Sequence, residues 1–262
     1  MISLYSLLSS PAFRNANGLP IALGTAETGK PLVVDLVKMP HLLVAGATGS
    51  GKSVCLSNVV VSLLACRACT DLLLVDTKRV ELSVFANLTN VLHVYDVAFA
   101  KRMLYLQTLR MEYKYKQLES ASCRNIQAYN AKSTLAMPYH VVVVDEFADL
   151  ILQDKEIESH VVRLAQMGRA CGIHLVIATQ RPTVNVVTGL IKANFPARIA
   201  FPVATSIDSR VILDRTGAEK LENPGDMIYS LGMSYVKARG AYVSPGQIED
   251  FVKIMQEKEK VK

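Results

Sequence analysis

The stretch Gly46-Ala47-Thr48-Gly49-Ser50-Gly51-Lys52-Ser53 satisfies the pattern G-x-x-x-x-G-K-[ST] at every fixed position. Its flanks constrain the fold as strongly as the pattern does. His41-Leu42-Leu43-Val44-Ala45 before it reads as a short buried strand, and Val54 to Ala65 after it is long and apolar enough for a core helix. A strand that stops at a glycine-rich turn and restarts as a helix gathers backbone N–H groups into one concavity, at the positive end of the helix dipole. That concavity suits a polyphosphate such as that of ATP. Residues Gly46 to Val54 would line it, with Lys52 reaching the β- and γ-phosphates and the Ser53 hydroxyl placed to ligate Mg²⁺.

A chain of 262 residues is long enough for one large α/β domain with a sizeable core. Half of its residues are hydrophobic and 20% are charged, which argues against disorder. The net charge of +6 allows a basic face for a polyanion but points to nucleic acid only weakly. No apolar run approaches the roughly 18 residues of a membrane span. Met1 to Leu8 lacks the basic region of a secretion signal, so the expectation is a cytoplasmic chain with no membrane segment. Five cysteines show no framework spacing. Cys66-Arg67-Ala68-Cys69 is a lone CxxC without a second pair or a nearby histidine, and reads as reduced thiols rather than as zinc or redox chemistry.

Residues 1–20 read as a polar, turn-rich arm, followed by a β-like section from Ile21 to Leu36 and by Pro40, which punctuates the entry to the phosphate-loop strand. Asp71 to Asp76 reads as a second buried strand ending in an acid. Residues 99–119 read as an amphipathic helix, with Met103, Leu106, Leu109 and Tyr113 on one face and Arg102, Arg110, Lys114 and Lys116 on others. Those cations are either a solvated face or a contact for a partner or DNA.

The second decisive stretch is Val141-Val142-Val143-Val144-Asp145-Glu146. Four β-branched residues imply a strand buried on both faces, whose C-terminal end shares a crevice with the phosphate loop of a parallel sheet. Asp145 there can complete the Mg²⁺ site begun by Ser53, and Glu146 is placed to polarise a water in line with the γ-phosphate. The pair favours a hydrolase over a nucleotide switch. A helix over residues 155–170 then leads into a strand ending at Thr179, with His174 as a core histidine. Gln180 follows, either sensing the γ-phosphate or making a structural hydrogen bond. The remainder reads as β-rich around Ala197–Pro202 and Pro224–Tyr229, with a turn at Ser206–Arg210 and a charged amphipathic helix over 247–262.

Six segments in order, KMPHLLVAGATGSGKSV, LLLVDTKRVELSVF, VVVVDEFADL, RACGIHLVIATQRPTVNVVTGLIKANFPARIAF, IDSRVILD and NPGDMIY, resemble the motor domain of the FtsK/SpoIIIE family of double-stranded DNA translocases, hexameric ATPases. The resemblance extends from about Gly18 to Val243. It implies an α/β fold over 21–246, a RecA-like P-loop NTPase core with a mostly parallel central sheet flanked by helices. It assigns the phosphate and magnesium roles to Lys52, Ser53 and Asp145, and the catalytic role to Glu146. It also places an arginine finger for a neighbouring subunit at Arg169, otherwise a capping or solvated residue, and DNA-backbone contacts at Arg181, Lys192 and Arg210, otherwise ordinary surface charges.

Two positions depart from the family pattern: Ser206, where a lysine is frequent, and Thr77, where a proline is usual. Family members commonly add a membrane segment, a second motor subdomain and a winged-helix module, none of which is evident in this sequence, so the expectation is the RecA-like core alone. The implied function is ATP-driven, sequence-independent movement along double-stranded DNA as a homo-oligomeric ring, expected to be a hexamer. The alternatives are a conjugation or packaging pump, and a nucleotide-gated DNA-binding or assembly module that does not translocate.

Overall fold

The apolar runs His41–Ala45, Tyr139–Val144 and Ile173–Thr179 are buried at every position, as strands covered on both faces must be. The computed structural model describes residues 2–68 and 70–260. In chain order its elements are α1 (Leu4–Leu8), α2 (Pro11–Arg14), β1 (Pro20–Ala26), β2 (Pro31–Asp35), β3 (His41–Ala45), α3 (Lys52–Ala65), β4 (Thr70–Val75), β5 (Val91–Val94), α4 (Val97–Ser120) and α5 (Ile126–Lys132). There follow β6 (Tyr139–Val144), α6 (Phe147–Gln153), α7 (Glu156–Cys171), β7 (Ile173–Thr179), α8 (Gly189–Asn194), β8 (Ala197–Ala200), α9 (Ser206–Leu213), β9 (Asp226–Leu231), β10 (Ser234–Gly240) and α10 (Pro245–Lys260).

All ten strands form one mixed sheet in the order β2-β1-β10-β9-β8-β3-β7-β6-β4-β5. From β8 to β5 the pairing is parallel, and from β8 to β2 it is antiparallel. β7 therefore lies between β3 and β6. Ala45 pairs with Thr179 and Val144 with Ile177, so the phosphate loop after β3, the end of β7 and the acid pair after β6 open side by side.

Three segments differ from the sequence reading. The N-terminal residues form two short helices rather than a turn-rich arm. Leu4 and Leu7, one helical turn apart, are buried with Phe13 in the main core, and the Leu4 N–H donates to the Tyr242 carbonyl at 3.0 Å. The Ser206–Arg210 stretch is the start of helix α9 and not a turn. Thr205 and Asp208 cap each other reciprocally: the Thr205 hydroxyl accepts the Asp208 N–H at 3.1 Å and the Asp208 carboxylate accepts the Thr205 N–H at 3.1 Å.

The third difference is the buried face of α4, which packs on α7. Leu106, Leu109 and Tyr113 are exposed, while Ala100, Leu104, Met111 and Leu118 are buried together with Gln107, Thr108 and Lys114. Both faces carry apolar residues at helical spacing, so periodicity alone selects neither. The polar groups are tolerated inside because they are bonded: the Thr108 hydroxyl donates to the Tyr105 carbonyl at 2.7 Å and Lys114 Nζ to the Pro138 carbonyl at 2.5 Å. Lys114 is thus no part of a solvated basic face. Cys55, Cys66, Cys123 and Cys171 are free thiols; Cys69, and with it the CxxC, lies outside the described residues. No described helix is long and apolar enough to cross a membrane.

His174 is fully buried, and its Nδ1–H donates to the Pro40 carbonyl at 2.8 Å, in keeping with a core role. Burial holds the rings of His41, His174 and His140 at about 3, about 4 and about 3, well below the ordinary value of 6.5. These folded values lie below the unfolded one. The stability tied to the neutral rings is therefore complete above pH 6.5 and is lost as pH falls towards 4 and 3. At roughly 1.4 kcal/mol per pH unit, each costs about 2 kcal/mol by pH 5. The urea midpoint is expected to fall between pH 7 and pH 5, and an unchanged midpoint would contradict this.

Candidate nucleotide site

The phosphate loop takes its shape from positions where a side chain does not fit. A Cβ on Gly46 would stand 2.5 Å from the Phe201 Cβ and 2.6 Å from the Ser50 Oγ. Gly51 has φ 107° and opens α3 from the left-handed region, its Cβ position pressed to 3.0 Å from the Gly225 backbone nitrogen. Beside the loop is a cavity of about 440 Å³, lined by Ala47, Thr48, Gly49, Gly51 and Lys52 to Cys55, and by Asn58, Glu81, Gln180, Phe201, Pro224, Gly225, Arg239 and Tyr242. Ser50 Oγ is buried and has no hydrogen-bond partner among the described residues.

Lys52, in the lining of this cleft, faces the buried Asp145. Lys52 Nζ donates to Asp145 Oδ1 at 2.6 Å and to the Asp145 carbonyl at 3.0 Å, and both side chains are 2% exposed. A buried pair of this kind is stable only while each charge keeps a partner. Ser53, on the first turn of α3, and Asp145 offer a hydroxyl and a carboxylate. These hard oxygen donors suit Mg²⁺ better than a thiophilic metal.

Glu146 is 3% exposed and held at both carboxylate oxygens. The Thr179 hydroxyl donates to Oε1 at 2.6 Å, the Gln180 N–H donates to Oε2 at 3.0 Å, and Lys78 Nζ lies 3.9 Å from Oε2. The Gln180 side chain accepts from the Thr48 hydroxyl at 2.9 Å, so it bridges the end of β7 to the phosphate loop. Every predicted residue from Gly46 to Val54, with Asp145, Glu146 and Gln180, therefore falls at one end of the sheet.

Arg169 does not. It sits in the last turn of α7, at the opposite end of β7, exposed, and lines a separate cavity of about 1000 Å³ with Arg124 and Lys38. A strand of this length puts it roughly 20 Å from its own phosphate loop. Arg181 and Arg210 are exposed and carry no acidic partner among the described residues. Lys192, by contrast, is engaged: its Nζ lies 2.6 Å from Asp214 Oδ1, and Arg198 holds the other oxygen at 2.6 Å.

Sequence reading did not single out Thr179, Lys78, Phe201, Arg239 or Tyr242. Thr179 and Phe201 follow directly from strands, but no motif spacing separates them from core residues. Arg239 and Tyr242 reach the cleft through β10, a strand the sequence did not signal. Gly46→Ala is expected to weaken binding of a fluorescent ATP analogue at least about tenfold, since a clash of this size displaces the loop. Wild-type affinity would show that the loop tolerates the methyl group.

The FtsK/SpoIIIE family model matches residues 3–137 and 131–184. The chain is 46% identical over 247 residues to "DNA translocase FtsK" of Treponema pallidum, covering 89% of this chain and 31% of that protein. It is 45% identical over 283 residues to "DNA translocase FtsK" of Haemophilus influenzae, covering 95% and 54%. It thus spans between about a third and about half of these curated relatives. Among solved structures, the pCW3 conjugation coupling protein TcpA, in its monomer form with ATPγS, superposes with a TM-score of 0.84 at 29% identity, over 94% of this chain and 73% of that one. The cytoplasmic domain of the Type VII secretion ATPase EccC of Thermomonospora curvata shares the fold, with a TM-score of 0.84 at 23% identity over 97% and 34%. With this glycine loop, a mostly parallel sheet flanked by helices and a family model that covers most of its length, the chain belongs to the FtsK/SpoIIIE family, whose P-loop fold binds nucleotide.

Proposed function

We propose that the protein is an ATP-driven motor that moves along double-stranded DNA as a homo-oligomeric ring, with a hexamer as the expected form. The observation that carries this reading is the Glu146 carboxylate, buried and held at both oxygens beside the Lys52–Asp145 pair. A carboxylate at that position, once turned to a water aimed at the γ-phosphate, can take its proton. Lys52, released from Asp145, binds the β- and γ-phosphates, and the loop N–H groups carry the remaining charge. Gln180 meets the γ-phosphate from the side. Ser53 and Asp145 would hold Mg²⁺, which when bound offsets charge on the phosphate oxygens.

Arg169 completes the site of a neighbouring subunit. It stands at the far end of the sheet from its own loop, exposed and free of acidic partners among the described residues. Arg181 and Arg210 contact the DNA backbone, which makes binding salt-dependent and indifferent to sequence. Lys192 is the weaker candidate because Asp214 already neutralises it. The likeness to a conjugation coupling protein supports a second reading, a pump that drives DNA between compartments with the same chemistry.

Long duplex DNA is expected to stimulate ATP hydrolysis, and Glu146→Gln to lower the stimulated rate by at least about a hundredfold. A purified protein without duplex-stimulated hydrolysis would refute the motor. Mixing Arg169→Ala with Lys52→Ala subunits is expected to restore part of the activity, since an intact Lys52 site then borders an intact Arg169. An absence of rescue in rings shown to be mixed would refute the trans role.

A further inference from the structure

The end of β7 performs two tasks that the family match leaves separate. The Thr179 hydroxyl and the Gln180 N–H hold Glu146, and the residue after Gln180 is Arg181, exposed and proposed above as a DNA contact. One hydroxyl joins the two. Thr179 is fully buried, and the direction of each of its bonds is fixed by chemistry: an N–H can only donate and a carboxylate can only accept. Thr179 Oγ1 accepts the Arg181 N–H at 3.0 Å and gives its single proton to Glu146 Oε1 at 2.6 Å. The other carboxylate oxygen is held by the Gln180 N–H at 3.0 Å. Both oxygens of Glu146 thus answer to three consecutive residues, Thr179 to Arg181.

The loop beyond has little freedom of its own. Pro182 restricts Arg181 to extended conformations, and the Thr183 N–H closes back on the Arg181 carbonyl at 2.8 Å. The Arg181 N–H is thus the direct contact between this loop and Thr179 Oγ1.

We propose that Thr179 is a positioning residue that couples the seating of the Arg181 loop on a polyanion to the aim of the Glu146 carboxylate. The proposal rests on the reading of Glu146 as the base and of Arg181 as a DNA contact. With the loop unseated, Glu146 stays clamped by Thr179 and the Gln180 N–H. With the loop seated on a phosphate backbone, the clamp shifts and the carboxylate turns to the attacking water. Because a small error in aim costs a large factor in rate, the hydroxyl governs turnover and not nucleotide affinity.

The test compares ATP hydrolysis with and without long duplex DNA in the wild type, Thr179→Val and Thr179→Ser, with melting temperature and affinity for a fluorescent ADP analogue as controls. In Thr179→Val the ratio of stimulated to unstimulated kcat is expected to fall by about tenfold, with KM for ATP within about twofold of the wild type. Thr179→Ser keeps the hydroxyl and is expected to hold the ratio within about threefold. Should Thr179→Val not fold, Thr179→Ala carries the same expectation. A stimulated wild type with an unchanged ratio in Thr179→Val overturns the coupling and leaves the motor standing. A loss equal in Thr179→Val and Thr179→Ser assigns Thr179 a merely structural role and also overturns the coupling. A wild type that duplex DNA does not stimulate overturns the motor and the coupling together.

Discussion

The buried contact between Lys52 and Asp145 brings the two halves of the site face to face. It spans from the first residue of α3 to the end of β6, across the intervening end of β7, with both side chains 2% exposed. Two charges removed from water gain little net stability from each other, whereas the loss of either partner alone is expensive. Such a pair is poorly explained as a brace. It suits the proposed roles, in which the lysine takes a phosphate and the carboxylate a cation. The buried Ser50 hydroxyl, without a partner among the described residues, belongs to the same arrangement, since it leaves an unused donor in a loop shaped for an anion.

The strand order gives this pair its surroundings. With β7 between β3 and β6, the residues that follow each strand meet at one edge, and Thr179 and Gln180 stand between the phosphate loop and the acid pair. The same order sends Arg169 to the opposite end, since α7 must return the chain to the start of β7 before β7 can run forward. A parallel sheet therefore separates a subunit's phosphate loop from its own Arg169 and leaves the arginine to face outward. The antiparallel strands β9 and β10 extend the sheet from β8 and bring Pro224, Gly225, Arg239 and Tyr242 over the cleft.

The parts legible in sequence were those where one residue type has few alternatives. The glycine loop, the four valines before Asp145 and the apolar run of β7 place Gly46 to Val54, Asp145, Glu146 and Gln180 at one end of a parallel sheet. The buried face of α4 was not legible, because Leu106 with Leu109 (i, i+3) and Leu104 with Met111 (i, i+7) both fit a helical repeat and only the packing of α7 chooses between them. Thr205 and Asp208 did carry a capping signature, yet a stretch read for its polar residues looked like a turn. Thr179 was invisible for another reason. A threonine at the end of a buried strand is ordinary, and its role depends on a carboxylate 33 residues away in sequence. The ion pair of Lys192 with Asp214 likewise depends on a tertiary approach that no local pattern encodes.

The central claim is that hydrolysis at this site drives movement along duplex DNA, and displacement of a third strand from a DNA triplex tests it most directly. Wild-type protein with ATP is expected to release the third strand at a rate that falls with its distance from the loading end, and Glu146→Gln is expected to release none. Duplex-stimulated ATP hydrolysis without any displacement would contradict the account and leave a nucleotide-gated DNA-binding module in its place.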